Sequence, residues 1–311
     1  MLDSSAAAMA NPSQTHYNRD DKTYRIAGRN KRMATTKSAL RAHIEEQGYV
    51  VVPDAVPKAL LDAVVDDIWR HVGADRNELE SWYKPGIVAS TGMVEMYHYQ
   101  SMWNTRQYPR VHEIFAEVHG TDKLWVSIDR TNLKPPADPA HPEHDHKGFI
   151  HWDTDTLKYP NIPFRVQGVL AITDTAQNMG GFQCVPEMYR ELEAWIARQP
   201  ADRNPTRPDL TGYEITKLAM QPGDLVIWST LLPHGNGHNV SKRPRLAQYI
   251  AMNPADEANV ELRDARIAAW RDKRPMSQKA FPGDPRGIEQ QSPPAQLTPL
   301  GRRLLGSDSW P

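Results

Sequence analysis

The chain has 311 residues, with 37 basic against 38 acidic side chains and a single cysteine, Cys184. That length can bury a substantial core, and nearly cancelling charge without a basic stripe speaks against a dedicated nucleic-acid binder. A lone cysteine allows neither an internal disulfide nor a thiolate zinc cluster and fits a reducing, cytoplasmic setting, and no stretch approaches the apolar length needed to cross a bilayer.

Residues 1–35 lack a basic segment followed by an apolar one, carry Asp20 and Asp21, and show little periodicity, so they read as a flexible N-terminal arm rather than a leader. A short helix is expected from Thr36 to Glu46, then a compact apolar run, Tyr49 to Val52, closed by Pro53 and Asp54. Leu60, Leu61, Val64, Val65, Ile68, Trp69 and Val72 recur at helical spacing, with Pro57 suited to the first turn. Val111, Ile114, Phe115 and Val118 predict another helix, which Gly120 is placed to end.

Beyond Gly120 the pattern changes. Lys123 to Lys134 alternates as a strand and stops at Pro135-Pro136. After a Pro- and His-rich loop, further strands are expected at Phe149–Asp153, Arg165–Thr173, Gly181–Val185, Tyr213–Met220, Asp224–Thr230 and Arg245–Met252, with a helix near Tyr189–Arg198. Short strands with turn signals, preceded by helices, predict a mainly β chain with flanking helices, a sandwich or barrel over residues 36–254. Residues 255–311 read as a C-terminal extension packing on or near that domain, with a helix through Trp270 and a Pro- and Gly-rich tail that wraps over the body or stays mobile.

Chemistry concentrates in Gly148-Phe149-Ile150-His151-Trp152-Asp153. In a strand, residues two apart share a face, so His151 and Asp153 converge while Trp152 turns away to pack. An imidazole and a carboxylate on one face are two-thirds of the facial 2-His-1-carboxylate triad of non-haem iron oxygenases. His234 is the candidate third ligand, set after the Asp224–Thr230 strand in a Gly/Asn-rich turn where backbone can approach a ligand closely. Arg245, eleven residues further on, offers a guanidinium fork suited to a carboxylate. Arg243 would share its face in a strand, so spacing alone does not separate the two.

On the segments EEQGYVVVPDAVP, DRTNLKPP, IHWDTD, MGGFQCVP, QPGDLVIWST and HGNGHNVSKRPR, spread over Ala39 to Pro254, the chain resembles the phytanoyl-CoA dioxygenase family. The resemblance implies a double-stranded β-helix (jelly-roll, cupin-like) that binds Fe(II), 2-oxoglutarate and O2. It implies iron ligation by His151, Asp153 and His234, and capture of the far carboxylate of 2-oxoglutarate by Arg245, whose offset from the distal His decides it over Arg243. It further implies that Asn132, in Asn132-Leu133-Lys134, reaches the near end of the co-substrate. Asn236 stands where relatives often carry Ser, and Glu187-Met188-Tyr189 where they usually continue Gly-Ser-His. Halogenases of the superfamily replace the carboxylate ligand with a small residue; Asp153 is present. The implied outcome is therefore hydroxylation, or demethylation, desaturation or ring formation, of a small-molecule metabolite, with succinate and CO2 as co-products.

Two other classes fit parts of the pattern: a cupin-like isomerase or hydrolase that uses the triad without 2-oxoglutarate, and a non-catalytic β-helix binding module. The first predicts no succinate, the second no iron-dependent O2 uptake. The histidines of His141-Pro142-Glu143-His144-Asp145-His146 read as solvated loop residues, His238 as a turn residue, and Asp155 as a poorer-spaced rival to Asp153. Substrate, oligomeric state and regiochemistry are not encoded in any motif.

Overall fold

The computed structural model describes residues 38–276 and 282–311, together with the backbone of two short strands nearer the N-terminus, β1 (His16–Asn18) and β2 (Thr23–Arg25). The remainder of the expected N-terminal arm lies outside the described residues.

Capping residues delimit the first helices. In α1 (Ala39–Gln47) the Ser38 hydroxyl accepts the Arg41 N–H at 3.1 Å, and Gly48 ends the helix in the left-handed region at φ 83°. Helix α2 (Lys58–Val72) buries the apolar stripe from Leu61 to Val72 and stops at Gly73; the short α3 (Gln100–Arg106), which no periodicity announced, leads into α4 (Pro109–His119), entered through Pro109 and ended by Gly120.

The principal sheet has eight strands in the order β1-β2-β3-β10-β7-β12-β6-β4, where β3 is Tyr49–Val52, β4 Met93–Val94, β6 Thr131–Lys134, β7 Val166–Ala171, β10 Leu225–Ser229 and β12 Arg245–Tyr249. A second sheet stacks β11 (His234–Asn236), β8 (Phe182–Cys184) and β9 (Thr216–Lys217) in that order, and β13 (Met252–Pro254) pairs with β5 (Leu124–Val126).

The central strands are buried on both faces, and so read as continuous apolar runs. Val50, Val52, Leu225, Ile227 and Leu246 face the core shared with the helices, which also holds Leu61, Ile68, Ile114 and Phe115. Their neighbours Tyr49, Val51, Val226, Trp228 and Ala247 face the small sheet, against Phe182 and Cys184. Two sheets enclosing this second core, with helices outside the larger one, form the double-stranded β-helix.

Several elements differ from the expectation. Lys123–Lys134 is two strands, because the chain leaves the β13 pairing at Val126, is held through Ser127 N–H to Ala251 O at 2.7 Å, and enters the principal sheet at Thr131. Tyr213–Met220 shortens to β9 and a single bridge from Met220 to Thr175. The helix near Tyr189–Arg198 divides into α5 (Pro186–Arg190) and α6 (Leu192–Ala197). Phe149–Asp153 is extended but makes only one β-bridge, at His151.

Beyond α7 (Val260–Asp272) and α8 (Pro299–Leu305) the chain runs to Pro311, and these residues pack on the same core. Arg266 donates to the carbonyls of Val126, Leu304 and Leu305 at 2.7 to 3.0 Å, and the Trp310 indole donates to Leu124 O at 3.1 Å. Glu289 accepts the backbone N–H groups of Tyr97 and His98 at 2.9 and 2.5 Å.

Candidate metal centre

His151 and His234 come from segments far apart in the chain and are joined backbone to backbone. His151 donates its N–H to His234 O at 2.8 Å and accepts the His234 N–H at 3.0 Å. Gly235 makes the approach possible: a Cβ there would lie 2.0 Å from Phe149 O, closer than any side chain tolerates. The two imidazole rings sit 4.8 Å apart, and Asp153 closes the group, its Oδ1 3.2 Å from His151 Nε2 and its Oδ2 3.5 Å from His234 Nε2. One ligand atom from each of the three lies within 4.8 Å of the others, and among the described residues no other cluster of His, Cys, Asp or Glu meets that condition.

The surroundings orient these donors. His234 Nδ1 is 2.9 Å from the carbonyl of Leu232. A carbonyl only accepts, so Nδ1 carries the proton and Nε2 keeps its lone pair for a ligand. Gln167, on β7, donates to Asp153 Oδ2 at 2.7 Å, and its own Oε1 accepts the Trp228 indole N–H at 3.1 Å. Burial opposes ionisation of Asp153, but the His151 and His234 imidazoles and the Gln167 amide N–H that face it outweigh burial and hold the carboxyl well below the usual range. Two imidazoles and a firmly ionised carboxylate suit a divalent first-row metal, with positions left open for other ligands.

Arg245, the first residue of β12, is 2% exposed. Its Nη1 donates to Asn132 Oδ1 at 3.2 Å and to Asn236 Oδ1 at 3.4 Å, its Nε has no partner, and no carboxylate pairs with it among the described residues. A buried guanidinium without an anion is costly, so the arrangement suits an incoming carboxylate. Asn132 and Asn236 therefore both converge on Arg245.

Arg243, which spacing could not separate from it, lies before the strand begins and ion-pairs with Asp174 at 2.7 Å on the surface. Beside Arg245, Lys134 is buried and donates to His146 O at 2.8 Å; burial, reinforced by the Arg245 charge, pulls its ammonium down to about 8.

Two residues escaped the sequence reading. Tyr249, four residues after Arg245 and so on the same strand face, accepts the Asn236 Nδ2 donor at 2.7 Å. Gln167 had no signal beyond its place in a strand, because its partnership with Asp153 exists only across the fold.

The remaining candidates do not join the cluster of three donors. His141 stacks on Tyr83 at 4.0 Å and meets Glu80 at 3.0 Å; His146 Nδ1 accepts the Gly148 N–H at 3.1 Å. His144 is not solvated as expected but buried at 2% exposure, folded inward beside the Tyr83 ring. His238 hydrogen-bonds Asp145, and Asp155 caps a short turn through the Leu157 N–H. Trp152 packs against Trp195, with its indole N–H on Leu231 O at 2.8 Å.

Residues 44–247 match the family model described as phytanoyl-CoA dioxygenase. Ava biosynthesis cluster protein O of Aspergillus versicolor is 24% identical over 246 residues, covering 69% of this chain and 77% of that protein. Among solved structures, a hypothetical protein of Escherichia coli superposes with a TM-score of 0.66 at 16% identity, covering 86% of this chain and 81% of that one. The non-heme alpha-ketoglutarate-dependent epimerase SnoN of nogalamycin biosynthesis superposes with a TM-score of 0.50 at 17% identity, over 70% of this chain and 82% of that one. No helix among the described residues is long and apolar enough to cross a membrane.

Proposed function

The chain belongs to the phytanoyl-CoA dioxygenase family of non-haem iron oxygenases, and from that premise we propose that it oxidises a small-molecule metabolite, by hydroxylation in the first instance, while 2-oxoglutarate is converted to succinate and CO2. His151, Asp153 and His234 are the iron ligands in this reading, Arg245 is the carboxylate anchor, and Asn132, Asn236 and Tyr249 hold that anchor in place. The observation that carries it is the meeting of the three donors, with Asn236, two residues past His234, bonded to a buried Arg245 that has no acidic partner among the described residues.

Bound iron would let O2 oxidise 2-oxoglutarate and the substrate together, one oxygen atom going to succinate and one to the product; the protein's part is placement. The His151–His234 bridge, with Leu232 and Gln167 behind it, fixes the ligand directions before any ion arrives. Arg245 fixes the co-substrate by charge-assisted hydrogen bonds at its far end, while Trp228 and Phe182 pack beside the His234 ring. A buried guanidinium without an acidic partner among the described residues is accounted for by a dicarboxylate co-substrate, which the isomerase or hydrolase reading does not include. The membership of the Aspergillus versicolor relative in a biosynthesis cluster supports a metabolite substrate.

The test is to load the protein anaerobically with Fe(II), follow the spectral change on adding 2-oxoglutarate, then admit O2 and measure succinate. Iron binding with a 2-oxoglutarate-dependent spectrum and slow succinate release is expected. Iron retention with no response to 2-oxoglutarate would favour the cupin-like alternative.

A further inference from the structure

The geometry points to Arg207 as the residue that selects the substrate, by taking a carboxylate that the substrate carries beside an apolar body. This inference rests on the oxygenase reading and names the class of molecule that the site accepts.

Phe149, two residues before His151, is 37% exposed, and its ring lies 4.8 Å from the His151 ring. An aromatic ring in contact with a metal-binding imidazole, and open to solvent, belongs to the entrance of the site. The Arg207 guanidinium lies over that ring, 4.1 Å from its centroid. Stacking occupies the face of a guanidinium but leaves its in-plane N–H donors directed outward, the geometry that grips a carboxylate bidentately.

Arg207 makes no ion pair or side-chain hydrogen bond among the described residues, although the chain holds 38 acidic residues to 37 basic ones. Its position is nevertheless fixed. The neighbouring Thr206 carbonyl accepts the N–H of Trp152, between the two metal-binding residues, at 3.0 Å, and the Thr206 N–H is held by Asn204 at 2.9 Å. The loop that carries Arg207 is thus tied to the same strip of backbone that carries His151 and Asp153. Arg165, two residues before the Asp153 partner Gln167 and kept in the ladder by the Thr230 N–H at 3.1 Å, is also exposed and without an acidic partner among the described residues. A rim with unpaired cations beside an open aromatic ring favours an organic anion over a neutral molecule.

The test uses the full chain loaded with Mn(II) and saturating 2-oxoglutarate, with benzoate and its neutral counterpart benzamide as probes. Proton relaxation of each probe by the bound Mn(II) reports approach to the metal. Benzoate is expected to relax at least five-fold more strongly than benzamide, and Arg207→Gln to abolish that preference while Arg207→Lys keeps part of it; 2-oxoglutarate affinity should be the same in all three proteins. Equal relaxation of the two probes, relaxation of neither, or an undiminished benzoate effect in Arg207→Gln would overturn the assignment. A protein that holds no Mn(II), or binds it without responding to 2-oxoglutarate, would instead refute the underlying oxygenase reading, so the two failures are told apart.

Discussion

Gln167 and Asp153 form a directed pair: the amide of Gln167 donates to Asp153 Oδ2 at 2.7 Å while its carbonyl is occupied by the Trp228 indole, which leaves only the amide nitrogen facing the carboxylate. The orientation of the one acidic donor in the centre is therefore set from β7, by a residue with no metal-binding capacity of its own. Gln167→Ala should weaken Fe(II) binding by about 10- to 100-fold, the usual cost of removing a group that orients a ligand. An iron titration of the folded variant decides it; an unchanged affinity would show that Asp153 needs no support.

Removal of a ligand should be harsher. His234→Ala takes away the most deeply buried of the three donors, 4% exposed, and should abolish stoichiometric Fe(II) retention after gel filtration. Circular dichroism should still report a folded protein, because the β11 backbone pairings with Cys184 and His151 do not use the imidazole. Retention of one iron per chain in this variant would dismiss the triad.

Arg245→Ala separates the two halves of the site. Loss of a charge-assisted, bidentate contact should cost about 2–4 kcal/mol, roughly 30- to 1000-fold in the concentration of 2-oxoglutarate required. Fe(II) affinity measured without co-substrate should hardly move. Arg243→Ala serves as the comparator, since its guanidinium is engaged by Asp174 on the surface; equal effects from the two substitutions would contradict the assignment.

Gly235→Ala tests the bridge between the ligand-bearing segments. The added methyl would meet Phe149 O at 2.0 Å, which only a backbone shift can relieve. Destabilisation of about 2 kcal/mol or more is expected in urea unfolding, together with weaker metal binding. A variant as stable as the parent and with intact iron affinity would mean that the contact has slack.

The pH dependence of stability should carry a mark of Glu289. Burial raises its carboxyl from 4.5 to about 7, against the backbone donors of Tyr97 and His98 and the Arg106 charge. The folded chain then holds a proton that the unfolded chain has released, so this group's contribution is full below about 4.5 and is lost as pH rises to about 7. Spread over that interval, the loss is on the order of 3 kcal/mol. Urea midpoints compared at pH 5 and pH 8 should fall less for Glu289→Gln than for the parent chain, and parallel curves would rule this out.

Much of the fold was legible because its determinants are local. Helix α2 and the doubly buried strands β3 and β10 announce themselves through apolar spacing and continuous apolar runs, and Gly120 ends α4 through a backbone rule that operates within a few residues. Where the expectation failed, a distant partner had intervened. The Lys123–Lys134 strand is broken because its two halves pair with different strands, and the segment of His151 is extended by a single bridge rather than a ladder. His144, read as solvated from its polar neighbours, is buried because the loop folds back beside Tyr83.

The amino-acid order alone determined which side chains could make an iron and dicarboxylate site, since imidazole, carboxylate and guanidinium at those spacings are chemical properties of the residues themselves. Only the tertiary structure decided that His151, Asp153 and His234 meet, that Arg245 and not Arg243 is the buried cation, and that Gln167 reaches Asp153, Tyr249 reaches Asn236 and Arg207 lies over Phe149. The reason is physical. Alternation places side chains on a face within one strand, whereas distance, burial and the presence or absence of a partner arise only when strands remote in the chain are hydrogen-bonded side by side.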